Sequence, residues 1–174
     1  MQKKSAVFDE KKLLWISQQH LSQMSVRDLM NEIYALNPSW GDGLEWDYLK
    51  EVVKLIKDRS KTIAEITSMS EIFFTDKLEY DSDLLSKIYN DKSIAIIKDF
   101  KSALTSIQDW SRVELENIFE NLMEQHDVAI GQVMKPIRVA LSGIPFGPGI
   151  FDLILLLGKD ICQIRLRHTL SEVE

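Results

Sequence analysis

At 174 residues, with 45% apolar side chains, the chain can hold one good-sized domain or two small ones around a real core. Its 21 Lys and Arg against 27 Asp and Glu leave a formal net charge of -6, which argues against a protein that coats nucleic acid non-specifically. A lone Cys162 excludes an internal disulfide, and His20, His126 and His168 are too widely spaced for a metal motif, so a reducing, cytoplasmic setting without metal is expected.

Helical periodicity runs through the chain, and strand-like alternation is almost absent. Lys3 and Lys4 precede only Ala6, Val7 and Phe8, too little for the apolar core of a secretory signal. Asp9 can cap a helix carrying Leu13, Leu14, Trp15 and Ile16, with Trp15 expected in the core. Ser25 with Asp28 opens a second helix with Leu29, Met30, Ile33 and Tyr34, stopping before Pro38. Trp40 and Trp46 flank the turn Gly41–Asp42–Gly43 and carry no assigned role; behind it, Leu49, Val52, Val53 and Ile56 follow i, i+3, i+4, i+7 spacing. Arg59 falls three residues later, beside the apolar stripe and near the helix C-terminus, where a cation suits the dipole.

Thr62 and Glu65 form another capping pair before Ile63, Ile66, Met69 and Ile72. The polar stretch Thr75 to Asp83 is the best candidate boundary. Leu84, Leu85 and Ile88 follow, then a longer helix with Ile94, Ile97, Phe100 and Leu104. Ser111 and Glu114 begin the next, with Leu115, Ile118, Phe119 and Leu122 inward and Trp110 also expected in the core. Gly131 precedes a helix with Pro136 just inside its start, and Gly158 separates Leu157 from a final helix ending near Leu170. The fold class is all-α, about nine or ten short helices with short connections.

Residues 136–159, PIRVALSGIPFGPGIFDLILLLGK, set an arginine on an apolar face ahead of a Gly/Pro-rich break and a second apolar run. The longest apolar run, Ile150 to Leu157, contains Asp152 and falls short of the roughly 20 residues a membrane span needs, so no membrane partner is expected. Between Val128 and Leu170 the basic residues Lys135, Arg138, Lys159, Arg165 and Arg167 outnumber the acids Asp152 and Asp160. A polyanion should meet this quarter of the chain, or the excess simply decorates solvated helix faces. No glycine-rich phosphate loop, Gly-x-Ser-x-Gly elbow or His-Glu-x-x-His sequence occurs. The spacing of Glu114, Glu116, Glu120 and Glu124 is that of a solvated face, so binding rather than catalysis is expected, with no catalytic residue assigned.

The 136–159 string resembles the C-terminal anticodon-binding region of bacterial-type glutamyl-tRNA synthetases, in which a Pro-Leu/Ile-Arg-Val-Ala-Leu-Thr/Ser-Gly block precedes Gly-Pro, Leu/Ile-Phe and Leu-Gly-Lys. KKLLWISQQHL at 11–21 is similar to the segment after that family's signature loop; LKEVVKLIKDRSKTIAEI at 49–66 to its arginine-ended helix and the Thr-Leu-x-Glu that follows; FFTDKLEYD at 73–81 to its Phe-Phe-Phe to Tyr-Asp linker. The resemblance implies a helical cage that binds the anticodon, as in class I synthetases. Residues 1–22 would end the stem-contact region, 23–76 form a first helical subdomain and 77–174 a second. The family's nucleotide-binding domain, with its His-Ile-Gly-His-like and Lys-Met-Ser-Lys-Ser-like motifs, is not in this sequence. The chain would thus be a piece of a longer glutamate–tRNA ligase or a stand-alone relic, with ATP, magnesium and the charging chemistry belonging to the catalytic part. The expected partners are the tRNA anticodon loop and that N-terminal catalytic domain, with a monomer as the default. A paralogue charging the glutamine tRNA, or a helical interaction module without ligase activity, are the competing readings.

The resemblance assigns Arg59 to the third anticodon base, distinguishing glutamate from glutamine tRNA, through a rigid fork of donors suited to the carbonyl and ring nitrogen of cytosine. Without it, Arg59 reads as a helix-terminal arginine in a surface ion pair. Arg138 would address the first anticodon bases, or cover the apolar face of Ile137 and Leu141 with its stem. Gly147 would offer main-chain groups and Ile150 an aliphatic surface to a base. Lys135, Lys159, Arg165 and Arg167 are phosphate contacts by charge alone, with a solvated face as the equal alternative.

Overall fold

The computed structural model describes residues 9–174; the Lys3–Phe8 stretch read for a secretory signal lies outside them. The described residues form nine α-helices, two short 3₁₀ turns and no strand. None of these helices is long and apolar enough to cross a membrane. The chain divides into two compact units, one ending at Glu71 and one spanning Ile72–Glu174.

In the first unit α1 (Glu10–Gln23) is capped by Asp9, α2 (Val26–Leu36) by Ser25 and α4 (Ile63–Ser70) by Thr62, each oxygen accepting from the backbone N–H three residues on. These bonds satisfy N-terminal donors that the helix itself leaves unpaired. Leu29, Met30 and Ile33 of α2 pack with Leu49, Val52, Val53 and Ile56 of α3 (Trp46–Ile56) and Ile66 of α4, all essentially inaccessible. Trp40 is also buried, its indole N–H donating to Ser70 Oγ at 2.8 Å, while Tyr34 meets Trp40 edge-on and stacks on half-exposed Trp46. Trp15 departs from expectation. It is 61% exposed because α1 buries only Leu21 and packs through its C-terminal end on the 3₁₀ turn Lys57–Arg59. Lys57 Nζ closes that end by donating to Ser22 O and Met24 O at 3.2 and 3.0 Å.

The second unit packs α6 (Asp91–Ser106), α7 (Arg112–His126), α8 (Ile130–Ser142) and α9 (Ile150–Val173) around one core, with short α5 (Ser82–Ile88) against α8. Phe119 is the hub: its ring meets Phe100 at 5.5 Å and Phe151 at 4.9 Å, both edge-on, a geometry that suits aromatic quadrupoles. Trp110 is half-buried at the rim, donating to Leu155 O at 3.3 Å. Gly158 breaks α9 as expected, with φ 77° and ψ 165°, values open to glycine and strained for other residues.

Pro136 is not at a helix start. α8 begins at Ile130, with Gln132 Oε1 accepting from the Ala129 N–H, so Gly131 lies in its first turn and buried Pro136 in its middle. Proline removes one helical bond, and here the neighbouring packing is tied down from outside: Tyr89 donates to Pro136 O at 2.8 Å and Tyr80 to Ala140 O at 2.7 Å. Thr169 in turn donates to Tyr80 Oη at 2.9 Å. Burial raises both phenol pKa values, so both remain donors at neutral pH.

The largest correction concerns Arg165. It is 0% exposed, and its guanidinium donates to Leu141 O at the C-terminal end of α8, to Ile72 O, and to Thr75 O at 2.6 Å. A side chain held this way cannot lie on a phosphate. Its carbonyl partners explain the burial: a helix leaves its last carbonyls unpaired, and a cation also answers the negative end of the dipole.

Arg165→Met should destabilise the chain by about 3–5 kcal/mol in urea denaturation, because three carbonyls lose their donor in the interior; exposed Arg167→Met should stay within about 0.5 kcal/mol. Burial pushes the Cys162 thiol up to about 12, so the native protein should resist alkylation at neutral pH and react on denaturation. An unfolded thiol ionises near about 8.5. Stability from the protonated buried thiol should therefore be complete below that pH and decline as pH rises toward the folded value.

Candidate functional site

α8 ends on Gly143, whose N–H returns to Val139 O at 2.8 Å. The loop 143–149 then leads into α9. Two contacts fix it to α8. Ser142 Oγ lies 2.9 Å from Arg138 O and 3.0 Å from Ile144 O, so one hydroxyl bridges helix and loop. Half-buried Arg138 donates from Nη1 to Pro148 O at 2.6 Å. The guanidinium is thereby fastened to the loop through one of its arms.

Gly147 has φ 128°. A Cβ there would be 3.9 Å from Arg138 Nη1, so space is not the restriction; the backbone angle is. Arg138, Gly147 and Ile150 thus share one short stretch of surface and chain, but Ile150 does not present an aliphatic face. Its side chain is buried as the first residue of α9, where an apolar residue anchors the helix to the core. Only its main chain faces the loop side of the helix start. The neighbouring Asp152 is engaged by Arg112 at 2.8 Å, which compensates the nearest carboxylate.

The remaining candidates separate. Lys159 Nζ donates to Thr105 O and Ile107 O at 3.1 and 3.3 Å, closing the C-terminal end of α6, a common task for a lysine. Arg167 is exposed and, among the described residues, has no hydrogen-bond or ionic partner. Lys135 is exposed beside a cleft of about 190 Å³, where Lys87 and Lys92 join it. In the first unit, Arg59 ends the 3₁₀ turn Lys57–Arg59. It is exposed and has no ionic or hydrogen-bond partner among the described residues, unlike the surface pair its position alone suggested.

Three features were missed in the sequence. Lys87 and Lys92 escaped because they precede the basic quarter and come together with Lys135 only in the fold. Phe146 is 66% exposed in the loop; its signal was an aromatic between Pro145 and Gly147, off every helical stripe. Among the described residues, no group of His, Cys, Asp or Glu is arranged to hold a metal.

A family model described as an anticodon binding domain matches residues 21–170. A glutamate–tRNA ligase 2 of Thermoanaerobacter pseudethanolicus is 27% identical over 99% of this chain and 37% of its own length. A glutamate–tRNA ligase of Desulforudis audaxviator is 31% identical over 97% of this chain and 36% of its own. The crystal structure of a glutamate tRNA ligase from Elizabethkingia meningosepticum, in complex with its amino acid, superposes with a TM-score of 0.84 at 22% identity. It covers 100% of this chain and 34% of that one, a likeness of fold. The chain spans little more than a third of the length of these relatives.

Arg138→Met should lower stability by no more than about 3 kcal/mol, the upper range for a hydrogen bond to a charged group, while hydrogen exchange at the amides of Gly147, Gly149 and Ile150 accelerates. Unchanged exchange would show that Ser142 and the prolines hold the loop without Arg138.

Proposed function

This chain belongs to the anticodon binding domain family, and from that premise we propose that it reads the anticodon of a glutamate tRNA as part of a glutamate–tRNA ligase. The observation that carries the reading is Arg59, exposed and without a hydrogen-bond or ionic partner among the described residues, at the end of the 3₁₀ turn that follows well-packed α3. Lys57 is tied to the end of α1, and Ser60 is buried with its hydroxyl donating to Ile56 O at 3.0 Å. The guanidinium is therefore carried on a backbone fixed on both sides, which is what selection of one base edge requires.

Cytosine, the third anticodon base for glutamate, presents a carbonyl oxygen and a ring nitrogen, both acceptors, to the fork of donors on Arg59. Guanine, in that place for glutamine, turns N–H donors toward the same fork. Donor against donor disfavours the wrong tRNA while the matched pair favours the right one. Arg138, held at the loop by its bond to Pro148 O, would address the other anticodon bases, and the main chain at Gly147 and Ile150 would complete the reading. Lys135 and Arg167 supply the phosphate contacts that remain after Arg165 and Lys159 are assigned to backbone carbonyls.

The ligase reaction, with ATP and magnesium, would belong to the portion of the longer protein outside this chain. The residues here do not suit that chemistry: the sequence has no glycine-rich phosphate loop, and among the described residues no acidic cluster could hold the ion. The catalytic portion and the tRNA are the proposed partners.

Arg59→Gln tests the reading. An amide offers both N–H donors and a carbonyl acceptor and can turn to meet either base. The preference for an RNA hairpin with the glutamate anticodon over one with the glutamine anticodon should narrow by about 5- to 150-fold, the worth of one bidentate pair. Equal preference in parent and variant would remove Arg59 from the role, and no affinity for either hairpin would favour a helical interaction module.

A further inference from the structure

We propose that Phe146 is a stacking platform for one unpaired base of the RNA loop, a contact that rests on the anticodon reading and adds to it a residue outside the hydrogen-bonding set. Phe146 is 66% exposed, more than any other Phe or Trp among the described residues, with Trp15 next at 61%. A single exposed ring is common on a protein surface; this one is set apart by the loop that holds it and by its neighbours.

The loop does not let the ring wander. Proline at 145 restricts the backbone on one side. On the other, Gly147 adopts φ 128° and buried Pro148 is held by Arg138 through its carbonyl. Ser142 ties Ile144 back to α8. The ring is thus presented from a segment fixed at both ends, which lowers the ordering cost of binding.

Its surroundings suit a base better than a protein surface. The adjacent loop residues are exposed Pro145 and half-buried Gly147, so the apolar area is little more than one ring and one proline, short of the patch that marks protein docking. The Arg138 guanidinium reaches the same loop from α8, and the nearby Asp152 carboxylate is already paired with Arg112. A flat π face beside a cation and main-chain groups is the chemistry that binds unstacked bases, and the stacking itself is indifferent to base identity. Phe146 would therefore contribute affinity and orientation, leaving discrimination to the arginines.

The test uses the whole chain and an RNA hairpin with the glutamate anticodon loop, with 2-aminopurine placed in turn at each loop position. Binding of the parent should quench the fluorophore through stacking at one position. Phe146→Ala should weaken binding by about 5- to 150-fold and abolish that quenching, with circular dichroism and Tm unchanged because the ring is exposed. Phe146→Tyr and Phe146→Trp should restore both, whereas Phe146→Leu, apolar but without a π face, should not. Equal binding by parent and Phe146→Ala, or full restoration by leucine, would overturn the stacking role while leaving the anticodon reading intact. Failure of the parent itself to bind the hairpin would overturn both.

Discussion

The guanidinium of Arg165, sealed in the second unit and shared among the carbonyls of Leu141, Ile72 and Thr75, sets where the end of α8 can be. A buried charge without partners is far more costly than any surface contact it forgoes, so the arrangement holds only if every carbonyl is brought to it. Tyr80 and Thr169 continue the same task one residue earlier on α8, through Ala140 O. The loop 143–149 begins from this fixed helix end. Its geometry is therefore inherited from the interior, and the Arg138 bond to Pro148 O fastens its far end.

Much of the fold was legible because its determinants are local. Asp9, Ser25, Thr62 and Ser111 each cap the helix they were expected to cap, since the bond spans three residues and owes nothing to the rest of the chain. Gly158 breaks its helix for a similarly local reason. Pro136 was misplaced because an N-terminal position is only the commonest home for a helical proline. Its interior place is fixed by tertiary packing, in which it is buried and its carbonyl accepts from the Tyr89 hydroxyl, contributed from far away in sequence.

The charged residues divide along the same line. Arg165 falls three residues after Cys162 and four before Thr169, both buried, so its helical spacing already pointed inward; counting it with the surface cations overrode that signal. Lys159 gave no such sign, because its partners lie at the end of α6, more than fifty residues earlier. Trp15 failed for the opposite reason. An aromatic at helical spacing predicts burial only where a second element covers that face, and α1 is covered only near its end.

The basic quarter of the chain is consequently not a basic surface. Arg165 and Lys159 serve the backbone, Arg138 is partly engaged, and Lys135 and Arg167 are what its excess leaves to solvent. For a chain of net charge -6, so few free cations give little of the counterion release that drives indiscriminate binding to RNA. Under the proposed reading this favours discrimination. When phosphate attraction is weak, binding depends on contacts that require particular bases to be unstacked and correctly oriented, and an RNA that cannot make them has little else to hold it.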